Sequence, residues 1–145
     1  MSETLNWNVT ATVIGGPTLS DANTVVVDGY DKLAVLVPKA AAPPPPPGGG
    51  GGGGGAPAVP APGTANVTVG PGNWTGVTLL FIKPSKADAA VTFTAGTVTA
   101  KLDGPIALTG SGAVSLLGSG AAKLSFSNTS ENDITVDILV GRSAS

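Results

Sequence analysis

The chain has 145 residues and a formal net charge of −2, with no histidine and no cysteine. Only 11% of its residues are charged, against about 25% in an ordinary soluble domain. This composition excludes triad, thiol and metal chemistries built on His or Cys, leaves no basic footprint for nucleic acid, and offers no apolar run of the roughly 18–20 residues that would span a bilayer.

In chain order, the first segment, Leu5 to Ile14, alternates with a period of two. Leu5, Trp7, Val9, Ala11 and Val13 fall on one side and Asn6, Asn8, Thr10 and Thr12 on the other, which predicts a half-buried strand stopped by Gly15-Gly16-Pro17. Met1 to Asn8 lacks a basic region followed by an apolar one, so no secretory leader is expected. Met1 and the end Ser143-Ala144-Ser145 suit a complete small protein. Thr24–Asp28 and Lys32–Val37 predict two further strands. The Asp28-Gly29 between them reads as a hairpin turn, because glycine accepts positive φ.

Pro38 ends that strand and opens a segment, residues 39–64, of different character. Five prolines (Pro43 to Pro47) run into eight glycines (Gly48 to Gly55) and then Ala56 to Pro62. So few side chains cannot form a core. The prolines predict a stiff polyproline II spacer and the glycines a pliant one. Lengthening an exposed loop costs only about 0.6 kcal/mol per doubling. Only about three strands precede the tract, too few to stand alone. The reading is therefore one domain, 1–145, with the tract as a long loop inserted within it.

Beyond the tract, Ala65–Val69 and the nearly continuous apolar run Gly76–Lys83 predict strands, the latter covered on both faces. Val77–Pro84 resembles Lys32–Pro38 as an apolar run ending in proline, a weak sign of internal duplication. Ser85–Ala90 holds at most one helical turn. Ala90–Thr94, Thr97–Leu102, Ile106–Thr109, Ala113–Leu117, Lys123–Ser127 and Ile134–Val140 follow as strands parted by Gly, Asp and Pro turns. About nine or ten short strands at intervals near ten residues predict an all-β fold, a single β-sandwich of jelly-roll type.

Chemistry is sparse. Asp28 with Asp31 and Asp133 with Asp137 are the carboxylate pairs a glycosidase would need, but they fall at turns or on polar strand faces where acids are solvated. A calcium site from Asp28, Asp31 or the Asn128–Asp133 turn lacks a D-x-D-x-D-G loop. Gly110-Ser111-Gly112 and Gly118-Ser119-Gly120 open no predicted helix and read as hairpin glycines rather than phosphate loops. The Asn-X-Ser/Thr triplets at Asn8, Asn66, Asn73 and Asn128 read as chance in an Asn/Thr-rich β protein. No catalytic residue, metal or cofactor is expected. Trp7 and the three phenylalanines are expected in the core, and Trp74 is the one aromatic expected at the surface.

The strands Val77–Lys83, Leu102–Leu108 and Ile134–Arg142, in a small Gly/Thr/Ala-rich chain without Cys or His, resemble those of phage capsid decoration (cement) proteins of jelly-roll type. The resemblance implies a non-enzymatic virion protein, made in the host cytoplasm. It would form a homo-oligomer, a trimer by preference, and bind the major capsid protein or another virion protein, with no nucleic acid or membrane partner. Many weak contacts would then stabilise the assembled shell by mass action. The expected inter-subunit contacts are Leu5 and Trp7 near the N-terminus, Pro43, Pro47, Gly48 and Gly55 in the tract, and Trp74. The alternative is a carbohydrate- or receptor-binding β-module of a tail fibre or surface adhesin, working through Trp74.

Overall fold

The computed structural model describes residues 2–43, 59–69, 76–118 and 123–143. Among them run ten strands: β1 (Glu3–Thr12), β2 (Thr18–Val27), β3 (Gly29–Val37), β4 (Gly63–Thr68), β5 (Val77–Pro84), β6 (Asp88–Ala95), β7 (Val98–Leu102), β8 (Ile106–Thr109), β9 (Lys123–Asn128) and β10 (Ile134–Arg142). One short helix, α1 (Ser111–Ser115), lies between β8 and β9. The protein is all-β, as the spacing of its turns predicts.

Eight strands make the body. One antiparallel sheet has the order β3-β10-β5-β8 and the other β4-β9-β6-β7. Their inward residues follow from strict alternation. In the first sheet Leu80 and Ile82 of β5 stand opposite Val140 and Ile138 of β10. In the second, Phe93 of β6 is paired with Phe126 of β9, with ring centroids 6.5 Å apart and planes tilted by 36°. All six are buried in one continuous core shared by both sheets, the arrangement of a β-sandwich.

The segment 113–117, expected as a strand, is instead α1 and the turn after it. Five apolar-leaning residues fit either state by composition. Here Val114 and Leu117, three apart, both reach the core, a helical spacing. Gly110 takes φ 84° to start the helix. Gly110-Ser111-Gly112 therefore does open a helix, contrary to expectation, but one of five residues with too short a dipole to hold an anion.

β1 and β2 stand apart from both sheets as a two-stranded ribbon with ten paired residues, Glu3↔Val27 through Thr12↔Thr18. The hairpin turn is at Gly15, φ 76°, where the Gly16 amide donates to the Val13 carbonyl at 2.8 Å. The expected stop at Gly15-Gly16-Pro17 is this turn, whereas the hairpin expected at Asp28-Gly29 is not found. That dipeptide is a bend through which the chain leaves the ribbon and enters β3, and β3 pairs with β10, not with β2. The Asp28 amide donates to the Arg142 carbonyl, and Arg142 bonds Asp31 at 2.5 Å, so the C-terminal end of β10 and the N-terminal end of β3 are tied at the base of the ribbon.

Candidate functional site

Two surfaces built by the fold stand out: the ribbon and the neck of the Pro/Gly loop. The ribbon has two unlike faces because directly paired residues share a side. One carries Leu5, Trp7, Val9 and Ala11 of β1 with Val25 and Leu19 of β2, interrupted by Glu3, Asn23 and Asp21. The other is polar, laced by Thr24 Oγ1 donating to Asn6 Oδ1 at 3.0 Å and Thr10 Oγ1 to Asn8 Oδ1 at 3.2 Å. Its base is seated on the outer face of the first sheet. Val27 and Leu79 are buried there, and a Cβ on Gly141 would meet Val27 Cγ1 at 2.8 Å, so only glycine lets the ribbon descend that far. Leu5 lines a hollow of about 250 Å³ with Tyr30 and Leu139.

Past that base nothing in the described chain covers the ribbon. Every residue from Asn8 to Thr24 is exposed, with Val9 at 50%, Leu19 at 75% and Ile14 at the turn fully so. The half-buried strand expected over Leu5–Ile14 is thus a projecting one, half-buried only at Leu5 and Trp7. Its alternation is real, but the surface it answers to is not among the described residues. Trp7, expected in the core, is on the ribbon instead, and its buried Nε1–H has no acceptor among the described residues. Phe81, likewise expected in the core, faces outward from β5.

Leu5 and Trp7 are therefore brought to one face, as two neighbouring inter-subunit candidates. Pro43 is exposed at the edge of the described residues, and Pro47, Gly48, Gly55 and Trp74 lie outside them. Val9 and Leu19 join them on that face, and the alternation that marks Leu5 and Trp7 also marks Val9. Leu19 carries no such signal, since Thr18–Asn23 is mostly polar.

The loop between β3 and β4 leaves the body through a closed neck. The Lys39 amide donates to Asp133 Oδ1 at 2.8 Å, the Ala40 amide to the Ser130 carbonyl at 3.0 Å, and the Ala41 amide to the Ala61 carbonyl at 2.8 Å. Asn128, fully buried, holds the platform. Its Nδ2 donates to the Asn132 carbonyl at 2.8 Å and to the Val37 carbonyl at 3.4 Å, while its Oδ1 accepts from the Ser130 amide and hydroxyl. The Asn128–Asp133 turn is thereby a structural clamp rather than a cation loop. Asn128→Ala should cost about 2–3 kcal/mol, because it strands several buried polar groups at once. Chemical denaturation measures this, and a loss below about 0.5 kcal/mol would refute the clamp.

The carboxylate pairs are also accounted for in part. Asp31 is bonded to Arg142, Asp133 caps the Lys39 amide, and Asp137 stands opposite Lys83 in the β10–β5 register. Among the described residues no group of three or more Asp or Glu could hold a metal ion, and no helix is long and apolar enough to cross a membrane. No family model, no curated protein and no solved structure matches the chain. Its function must be read from these surfaces alone.

Proposed function

We propose that the protein is a non-enzymatic structural component of a virion, a homo-oligomer that decorates and stabilises a phage capsid through many protein contacts. The observation that carries this reading is the ribbon. A two-stranded hairpin is at best marginally stable in water, yet most of its ten residue pairs extend beyond the sandwich with an apolar-leaning face exposed. Such a face is the mark of an interaction surface. The strand order supports the jelly-roll part of the proposal. From β3 onward the chain passes between the two sheets at every step except β6 to β7, giving the interleaved orders β3-β10-β5-β8 and β4-β9-β6-β7. Eight strands in two such sheets are the jelly-roll pattern common in capsid proteins.

Intact-mass analysis of assembled particles tests the proposal. The protein should be found on particles in fixed stoichiometric numbers and should raise their thermal stability. A chain that is strictly monomeric and absent from particles overturns it. The loop supplies a second measurement. Because the Ala41–Ala61 hydrogen bond closes the neck ahead of the prolines, deleting Pro43 to Gly55 should leave the melting temperature within about 2 °C of the parent. Weakened particle binding in that variant marks the tract as a contact arm, and unchanged binding makes it a tolerated insertion.

A further inference from the structure

We propose that the apolar face of the β1–β2 ribbon docks on the outer face of the β3-β10-β5-β8 sheet of a second copy, so that arms are exchanged between subunits. This rests on the homo-oligomer part of the reading above and not on its capsid part. The acceptor is a shallow depression of about 340 Å³ lined by Lys32, Phe81, Lys83, Asp137 and Leu139. Its floor is apolar where an outer sheet face would ordinarily be polar: Phe81 and Leu139 are paired neighbours on β5 and β10, both half-exposed to solvent.

Three observations select a second copy as the occupant. The first is charge. Residues 2–27 contain Glu3 and Asp21 and no lysine or arginine, and both acids lie on the apolar face, opposite Val27 and Val9. The depression is flanked by two exposed lysines against one aspartate. Complementary charge of this kind fixes partner and register.

The second is continuity. The same two surfaces already meet within one chain, where Leu5 lies beside Leu139 and Tyr30 at the foot of the ribbon. The depression continues from Leu139 along the strands. A neighbour's arm would extend a contact of proven chemistry.

The third is area. The exposed part of the ribbon, about seven residue pairs at roughly 3.3 Å each and some 10 Å wide, offers about 230 Å² per face. One arm on one acceptor hides about twice that, well below the roughly 1,200 Å² of a stable interface. A reciprocal pair engages two arms across one interface and hides about 900 Å², close to the lower end of specific interfaces, whereas each contact of a three-membered ring hides only about half that. Area therefore favours a reciprocal pair over a single arm contact.

Light scattering coupled to size exclusion, across a dilution series, tests the exchange. Wild-type protein should be a closed oligomer. Leu19→Asp on the arm and Lys83→Glu in the acceptor should each raise the dissociation midpoint about tenfold or more, with unaltered circular dichroism, since both positions are exposed. Asp21→Lys combined with Lys83→Glu should restore association by reversing the pair. Oligomers that persist undiminished in both single variants overturn the arm exchange while leaving the functional reading standing. A wild-type chain that is monomeric in solution yet present on particles overturns the arm exchange together with the homo-oligomer part of that reading, and leaves only its capsid part standing. Absence from particles, with arm-dependent oligomers, strikes the capsid reading alone.

Discussion

Phe126→Ala is expected to lower the unfolding free energy by about 3–5 kcal/mol, a large part of the roughly 5–15 kcal/mol that holds a domain of this size together. Phe126 sits on β9 with 1% of its surface exposed, in register with Phe93 of β6 and facing the aliphatic layer of Leu80, Ile82 and Ile138. Truncation removes the ring's burial, leaves a cavity the sheets cannot close, and forfeits the tilted ring pair with Phe93. Urea titration should show the midpoint falling without a change in slope. Phe81→Ala supplies the contrast. Its ring is only half-buried on the outer face, so about 1 kcal/mol should be lost. Equal costs at the two positions would contradict the inside-out assignment of β5 and β9.

That contrast also shows what the sequence encodes and what it does not. The nearly continuous apolar run Gly76–Lys83 predicts a strand covered on both faces, which holds for Leu80 and Ile82 in the core and for Leu79 beneath Val27 but not for Phe81. Periodicity cannot say that the outer side of that strand is covered by the chain's own N-terminal ribbon. Nor can it say that Phe81 just beyond is left open. Alternation over Leu5–Val13 was legible in the same way: it declares a two-faced strand and is silent about whose surface the apolar face meets. The Asp28-Gly29 signal is a sound local rule defeated by long-range pairing, since β3 gains more by adding to β10 along nine residue pairs than by folding back on β2. Thr18–Asn23 gave no strand signal because an unburied strand needs no apolar alternation. Of the candidate site, Leu5 and Trp7 could be read from the sequence. The neck could not, since Lys39 and Asp133 are 94 residues apart.

Gly63→Ala is expected to destabilise by about 3 kcal/mol, at the upper end of the overpacking range, because the atoms in the way are backbone. Gly63 opens β4 opposite Asn128, at the corner where β3 and β4 pass from one sheet to the other. A methyl group there would overlap the Pro38 carbonyl oxygen and come within 2.6 Å of the Lys39 carbonyl oxygen. Neither can rotate aside, so residues 38–39 must shift and pull the Lys39 amide from Asp133 and the Ala40 amide from Ser130. The signature is local as well as global. Hydrogen exchange at Lys39, Ala40 and Ala41 should accelerate well beyond what the loss in global stability explains, while the core amides of β5 and β10 should follow the global change. The same cost should appear in the variant lacking Pro43 to Gly55, since the clash is with Pro38 and Lys39 and not with the tract. A smaller cost in the shortened chain would mean that the tract itself holds the neck shut. Wild-type exchange rates at all three amides would mean that the corner is looser than the Gly63–Pro38 contact implies.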